Sequence, residues 1–278
     1  MLTAFGHLEG LGLAETSRNC HDDEYSDDEA TATTFPTPAR IVWNTESKSN
    51  EGESLTVDEL ILCTEHAGSC FVSCNYASFQ EIGTLSTEDG GSLSLLAPAA
   101  FNPEQRTFKT LVVTGKFTGK GRCTISAGDE WRWVEPLFAS VTALRVLVLD
   151  TVLATKIPLV SAAEGRPTAP LLFHLGTSAF VKSGKELSEG RALDTALCPL
   201  LPNAILMEGL SGAFMSHCES SGVSAVALLS LVERAVVDST TLFAYESAFT
   251  LNSDVEGRRS MYKQASKGSS KQLDSMYL

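Results

Sequence analysis

Two long aliphatic runs constrain the fold of this chain more than any other feature. The segments Ala143–Val152 (ALRVLVLDTV) and Val223–Val232 (VSAVALLSLV) carry almost no polar interruption. A strand with one face in water alternates apolar and polar residues, whereas a strand covered on both faces does not. Each run is only about half of the ~20 residues that a membrane-spanning helix needs. The runs therefore predict strands buried on both faces of a sheet.

Shorter apolar segments complete the predicted architecture. Strands and helices alternate along the chain, which predicts an α/β fold, a three-layer sandwich with a largely parallel central sheet. The segment Ser161–Arg191, rich in Gly, Pro, Ser and Lys, is predicted to be a long loop around a strand at Leu171–Leu175. Further strands are predicted at Ile41–Trp43, Glu59–Thr64, Ser69–Ala77, Thr107–Thr114, Arg122–Ala127 and Ile205–Met207.

Two helices can be placed by their capping residues. Asp129 is predicted to cap a helix that carries Trp131 and Trp133, and Pro136 within it should bend or restart the helix. Ser211 is predicted to cap a second helix, which Gly222 ends. A hydrophobic staple between Leu210 and Met215 supports this second helix.

Charge divides the chain into three parts. The 278 residues carry a net charge of −13, which argues against binding to nucleic acid or to an acidic membrane surface. Residues 1–35 include six acids between Asp22 and Glu29 and are predicted to be a disordered acidic tail. Residues 36–251 are predicted to form a single α/β domain. Residues 252–278, which are basic and contain a Gly-Ser-Ser fragment, are predicted to be a flexible C-terminal tail.

The N-terminal segment and the cysteines bear on location. The first residues lack the basic and apolar regions of a secretory signal. The seven cysteines form no Cys-x-x-Cys pair, and a chain of this length does not need disulfides. We therefore expect reduced, mostly buried thiols and a location in the cytoplasm or nucleus.

Motifs for catalysis are weak. The glycine-rich segment Gly115–Gly121 is one residue short of a phosphate-binding loop and is predicted to be a hairpin turn. His217 and Cys218 are sequence neighbours, so on a helix they point about 100° apart and do not form a nucleophile–base pair. Asp150 lies at the end of a buried strand, where α/β enzymes place carboxylates. The alternative to a binding protein is therefore an α/β hydrolase or phosphorylase, with Asp150 or His217 in a site at the carboxyl ends of the central strands. No metal or other cofactor is predicted.

The C-terminal residues Met276, Tyr277 and Leu278 form a hydrophobic–Tyr–any ending. A partner pocket that contains a lysine and backbone donors can capture a terminal carboxylate. Tyr277 would supply a rigid apolar ring with a hydroxyl group, and Met276 would fill an apolar recess. These three residues are the predicted partner-binding residues.

Several motifs follow one another in a fixed order along the second half of the chain. They are Arg191-Ala192-Leu193, the segment 198–205 (CPLLPNAI), a helix ending near Cys218, the strand 223–231 and the element 245–249 (YESAF). Their order, the segment Arg122–Phe138 before them, the acidic N-terminal tail and the hydrophobic–Tyr–any ending resemble the proteasome assembly chaperone 1 family. The segment Ser161–Arg191 departs from the family's pattern.

This resemblance implies a binding role without an active site. Such proteins pair with a second, related chaperone, and the heterodimer sits on the outer face of the α-subunit ring of the 20S proteasome. Their tails enter pockets between α subunits, which promotes ring assembly and opposes off-pathway ring dimers. The resemblance also implies a three-layer α/β fold with a nucleoside-phosphorylase-like sheet.

Overall fold

The computed structural model describes residues 37–44, 54–63, 65–88, 91–99, 107–115, 130–157, 172–187, 193–201, 207–232, 238–246, 248–249 and 258–265. These residues belong to one compact unit, Pro36–Leu278. The strands are β1 (Arg40–Trp43), β2 (Leu55–Cys63), β3 (Phe79–Ser86), β4 (Ser92–Pro98), β5 (Thr107–Gly115), β6 (Val141–Leu153), β7 (Leu172–Gly176) and β8 (Ser224–Val232). The helices are α1 (His66–Asn75), α2 (Trp131–Ser140), α3 (Ser178–Lys182), α4 (Gly209–Ser220), α5 (Ser239–Glu246) and the helical residues 258–265, named α6.

The eight strands form one mixed sheet in the order β1-β3-β4-β5-β2-β6-β8-β7. The central strands β5, β2, β6 and β8 are parallel to one another. Strands β1, β3 and β4 add an antiparallel extension on one side, and β7 pairs antiparallel with β8 on the other. The α/β fold with a sheet that is parallel at its centre is therefore confirmed.

The two aliphatic runs are β6 and β8, which lie side by side in the sheet. Val146 and Val148 of β6 pack into the core with α2 and α4, whereas Leu147 and Leu149 pack into the opposite core with α1 and α5. A strand that buries alternate residues in two different cores needs apolar side chains at every position. This double burial explains the absence of alternation and gives the three layers of the fold.

The predicted strand at Ser69–Ala77 is wrong, because residues His66–Asn75 form helix α1. The buried residues Ala67, Phe71 and Val72 recur at helical spacing and face the sheet. Gly68 lets this helix approach β6 closely, since a Cβ at this position would lie 2.9 Å from the carbonyl oxygen of Leu149.

Helix α2 continues through Pro136 without the predicted restart. Proline lacks the N–H that would bond to the carbonyl four residues earlier, at Arg132. That carbonyl instead accepts the N–H of Ala39 at 3.0 Å. The lost helical hydrogen bond is thus replaced by a tertiary one that ties the entry to β1 onto α2.

Helix α4 begins at Gly209, so Ser211 is a buried residue of its first turn and not its cap. Leu210 and Met215 are both buried. The helix ends at Ser220, and Gly222, the predicted stop, follows the cap residue Ser221 with a φ of +68°. Within Ser161–Arg191, the predicted loop contains helix α3 as well as β7. The hairpin strands β3 and β4 and helix α5 were not predicted.

Several predicted segments lie outside the described residues. They are the acidic tail 1–35, the strand 122–127, residues 116–121 of the hairpin turn, Asp129 and residues 205–206.

Candidate functional site

Helix α6 is the described segment that precedes the predicted binding tip in sequence. It packs on the body of the protein. Its residue Tyr262 is fully buried in the core between α1 and α5. The ring of Tyr262 lies 5.0 Å from the ring of Phe243 in an edge-to-face arrangement and 6.2 Å from that of Phe71. The Nδ2 group of Asn75, near the end of α1, donates a hydrogen bond to the Tyr262 hydroxyl at 2.9 Å. Burial raises the pKa of Tyr262 well above its usual range, so the phenol stays neutral.

Two arginines hold the first turn of α6 on α5. The Nε group of Arg258 donates to Oε1 of Glu246 at 2.8 Å, and both side chains are less than one-fifth exposed. The guanidinium of Arg259 lies over the ring of Phe243, 5.8 Å from its centroid, at a cation–π distance. The aromatic contact, the hydrogen bond and the ion pair together define a tail anchor made of α6, Asn75, Phe243 and Glu246.

This anchor corrects the prediction that all of residues 252–278 form a flexible tail. Residues 258–265 are helical, and Tyr262 buries an aromatic ring that the basic, Gly- and Ser-containing composition of the segment did not indicate. The predicted binding residues Met276, Tyr277 and Leu278 lie outside the described residues. Thirteen residues, 266–278, follow the last described residue, Ala265.

The two candidate catalytic residues lie toward opposite ends of the central strands. Helix α4, which carries His217, is joined to the start of β8 at Ser224 by only three residues, 221–223. Asp150 is paired with Leu229, five residues further along β8. At about 3.3 Å per residue, roughly 16 Å of strand separates the level of Asp150 from the start of β8. His217 and Asp150 therefore do not act on one substrate atom.

Each candidate residue also has a structural role. The imidazole of His217 stacks on Phe138, with 4.4 Å between the ring centroids, and burial lowers its pKa. The carboxylate of Asp150 accepts the N–H of Thr151 at 2.6 Å, and its backbone carbonyl accepts the Tyr245 hydroxyl at 2.5 Å. Val152, Leu201 and Leu229 form a small hydrophobic cluster at the carboxyl ends of β6 and β8.

A small cavity lies near the amino ends of these strands, between β2, β6, β8 and α3. Its volume is about 10 Å³, which is room for about one water molecule. Arg145 Nε and Ser224 Oγ are buried there without a hydrogen-bond partner among the described residues, while Arg145 Nη1 donates to the carbonyl of Leu187 at 3.0 Å. Glu59 and Glu186 are also among the residues that line the cavity. It is too small to hold an organic substrate.

The described cysteines are free and protonated. Cys70 lies 3.6 Å from Nε2 of His66, but burial, together with the neighbouring Cys74, raises its pKa to about 11. Burial likewise raises the pKa of Cys198 and of Cys218 to about 12. Thiols with such pKa values are poor nucleophiles at neutral pH. Within the described ranges, no group of three or more His, Cys, Asp or Glu side chains could hold a metal ion.

No helix in the described part of the chain is both long enough and apolar enough to cross a membrane. Large apolar side chains are nevertheless exposed at several points. Near the β7 edge, Leu197 and Leu200 are each 58% exposed, and Leu144 at the start of β6 is 65% exposed.

Comparison with known proteins shows the family. A family model described as proteasome assembly chaperone 4 matches residues 13–270. Proteasome assembly chaperone 1 from Xenopus laevis is 24% identical over 218 residues, which cover 74% of this chain and 71% of the relative. Because the family model spans most of the sequence, this chain belongs to the proteasome assembly chaperone family. The resemblance found in the order of the motifs is thereby confirmed.

Solved structures share the fold. Pyrococcus furiosus PbaB, an archaeal proteasome activator, superposes with a TM-score of 0.54 at 11% identity, over 87% of this chain and 100% of PbaB. Pyrococcus furiosus PbaA, an archaeal homologue of proteasome-assembly chaperone, gives a TM-score of 0.51 at 11% identity, over 86% of this chain and 100% of PbaA. These likenesses establish the architecture, and membership of the family supports a role for this chain in proteasome assembly.

Proposed function

We propose that this chain is a non-enzymatic chaperone for assembly of the 20S proteasome core particle. It pairs with a second, related chaperone, and the heterodimer binds the outer face of the α-subunit ring. There it promotes ring assembly and prevents off-pathway ring dimers. The match of the family model to residues 13–270 is the observation that carries this proposal.

In the proposed complex, the C-terminal tip enters a pocket between neighbouring α subunits. The terminal carboxylate of Leu278 meets a lysine in the pocket, and the ring of Tyr277 supplies the largest apolar contact. Met276 fills an adjoining recess. The side chain of Leu278 occupies the position at which the motif accepts any residue, so its contribution is small.

The proposed pairing requires an apolar face, because stable heterodimer interfaces bury large apolar areas. Exposed leucines such as Leu144, Leu197 and Leu200 are candidates for burial by a paired subunit. We further propose that the pair acts in the cytoplasm and the nucleus.

Binding of purified α-subunit rings to the heterodimer tests this proposal. A chain lacking Met276–Leu278 and a Tyr277→Ala chain should both bind more weakly, whereas a Leu278→Ala chain, which keeps the terminal carboxylate, should bind as the parent does. Amidation of the C-terminus should weaken binding as truncation does, because it removes the charge. Equal binding by the parent and the truncated chain would refute the tail mechanism.

The pairing is tested separately. The tagged chain is expressed in cells and purified, and the proteins that accompany it are identified by mass spectrometry. We expect one related chaperone in a 1:1 ratio together with α subunits. Recovery of the chain alone, with no α subunit, would contradict the assembly role.

A further inference from the structure

We propose that the small cavity between β2, β6, β8 and α3 is a binding site for one structural water molecule. In this site the water accepts the Nε–H of Arg145 and is hydrogen-bonded to the hydroxyl of Ser224. Such a water would join the amino ends of the central strands, and it does not depend on the proposed chaperone contacts.

Two buried polar atoms without a partner belong to residues that line this cavity. Within the described ranges, Arg145 Nε and Ser224 Oγ are the only buried side-chain nitrogen or oxygen atoms that lack a hydrogen-bond partner. Buried polar groups are almost always paired with protein or with ordered water, because an unpaired group keeps the full cost of leaving bulk water. The presence of both residues at one cavity therefore indicates a shared partner.

The strand register brings these residues together. Arg145 of β6 is in register with Glu59 of β2 on one side and with Ser224 of β8 on the other. Two positions further along β6 and β8, Leu147 and Val226 pack into the core with α1 and α5. Because alternate residues of a strand point to the same face, Arg145 and Ser224 lie on that face of the sheet. A polar row thus crosses three parallel strands at the margin of an apolar core.

The size and chemistry of the cavity suit a water molecule. Its volume of about 10 Å³ is close to the least space that a buried water needs. A buried water usually makes about two to four hydrogen bonds to polar groups that would otherwise be unpaired. The Nε–H of Arg145 is a donor, and the hydroxyl of Ser224 can donate or accept, so a water can bond to both.

The charges around the cavity favour water over an anion. A guanidinium N–H and a hydroxyl could together also bind a halide ion. However, Glu59 and Glu186 are among the lining residues, so two acidic residues accompany the single guanidinium of Arg145. A halide ion is also larger than a water molecule, and the cavity has room for only about one water. We therefore infer a neutral occupant.

The proposed water would complete the fixing of the Arg145 side chain. Its Nη1 group already donates to the carbonyl of Leu187 at 3.0 Å, in the segment that follows α3. With Nε held by a water that is bound to Ser224, one guanidinium would connect β6, β8 and this segment.

A crystal structure of the full chain, at a resolution that shows ordered water, tests the site directly. We expect one density peak at about 2.7–3.2 Å from both Arg145 Nε and Ser224 Oγ. Crystals grown in bromide would identify an anion, because bromide gives an anomalous signal and water does not. An empty site, a bromide peak in it, or a protein partner for Arg145 Nε would overturn the proposal.

Urea unfolding tests the site in solution, because a wet and a dry cavity predict different results. Ser224→Ala removes a hydroxyl that is bonded to water in the proposed site, so the equilibrium constant for unfolding should rise roughly two- to tenfold. In a dry cavity the same substitution would remove an unpaired buried hydroxyl, and the constant would stay the same or fall. The matched control is Ser230→Ala on the same strand, whose buried hydroxyl donates to the carbonyl of Thr241 at 3.2 Å and should give a comparable rise.

A second variant, Ser224→Val, places methyl groups in the space of the proposed water. Valine suits a strand better than serine, and filling a dry cavity stabilises a protein. We nevertheless expect the unfolding constant to rise, because displacement of the water leaves the Nε–H of Arg145 buried and unpaired. The proposal fails if Ser224→Ala leaves the constant unchanged or lowers it, or if Ser224→Val does not raise it. If the valine chain does not fold, the alanine chain decides.

Discussion

Thr177 and Ala225 are joined by hydrogen bonds in both directions. The N–H of Thr177 donates to the carbonyl of Ala225 at 2.9 Å, and the N–H of Ala225 donates to the hydroxyl of Thr177 at 3.0 Å. The same hydroxyl accepts the N–H of Phe180 at 3.3 Å and so caps α3. One side chain therefore joins the end of β7, the start of α3 and the central strand β8.

Substitution Thr177→Val should lower the free energy of unfolding by about 1–3 kcal/mol, because the buried N–H of Ala225 loses its partner and α3 loses its cap. Thr177→Ser keeps the hydroxyl and should cost less. Urea unfolding followed by circular dichroism gives both values. A Thr177→Val chain as stable as the parent would contradict this account.

Asp238 caps α5 and should make stability depend on pH below about 4. Burial acts to raise its pKa, but hydrogen bonds from the N–H and hydroxyl of Thr241 and the hydroxyl of Thr240 outweigh burial and hold the pKa below its usual value. The stabilisation is present above the ordinary pKa and is lost as pH falls through the lowered one.

At pH 7, Asp238→Ala should lower the free energy of unfolding by about 1 kcal/mol. The difference from the parent should shrink below pH 4. Asp238→Asn, which still accepts hydrogen bonds but does not titrate, is the control. Urea unfolding at pH 7 and pH 3 measures the difference, and a difference that stays constant between these pH values would contradict the role of the carboxylate.

His174 should make the protein less stable as pH falls below about 6.5. It is buried in β7, and burial lowers its pKa, with Lys185 acting in the same direction. Its Nδ1 lies 2.6 Å from the carbonyl oxygen of Cys198, so Nδ1 carries the proton of the neutral ring. Below pH 6.5 the unfolded chain takes up a proton that the folded chain does not, so the free energy of unfolding falls.

We expect His174→Asn, whose amide can donate in place of Nδ1, to reduce the decrease in stability between pH 7.5 and pH 5.5. Part of the decrease should remain, because burial also lowers the pKa of His66 and of His217. Urea unfolding at the two pH values gives the decrease for each chain. If the parent and the variant lose the same stability, His174 does not contribute.

Gly68→Ala should destabilise the protein although alanine is the better helix former. The added Cβ would lie 2.9 Å from the carbonyl oxygen and 3.0 Å from the Cβ of Leu149. Overpacking of this kind typically costs about 1–3 kcal/mol, which exceeds the gain of up to ~1 kcal/mol from helix propensity. Ser73→Ala, at an exposed position of the same helix, should stay within about 0.5 kcal/mol of the parent. Thermal unfolding of both variants tests the difference, and a stabilised Gly68→Ala chain would contradict the close packing.

The sequence predicted the structure best where a single physical requirement fixed the residue types of a segment. A strand buried on both faces admits almost no polar residue, so β6 and β8 could be recognised from composition over ten positions. Helix α1 was predicted as a strand because its small, apolar and β-branched residues suit either structure. Contact of Phe71 with α5 and of Gly68 with Leu149 selects the helix, and neither contact is visible in local sequence.

One part of the candidate site could likewise be predicted from the sequence, and another part could not. Residues 276–278 could be identified from sequence because a hydrophobic–Tyr–any ending depends only on residue types, and their role remains a prediction. The anchor at Tyr262 could not, since the segment around it is basic and polar and its one buried ring is identified only by its partners. The single clue in the sequence was the aromatic residue Tyr262, which stands four positions after Arg258 and so on the same side of a helix. Arg258 itself pairs with Glu246.

The sequence by itself thus determined the layered α/β fold, because aliphatic runs of this kind are stable only inside a sheet covered on both faces. It also determined the family, through motifs whose order is a property of the chain alone. The tertiary structure decided where α1 lies, how α2 tolerates Pro136 and where α6 docks. Each of these depends on an atom distant in sequence, such as the N–H of Ala39 or the amide of Asn75.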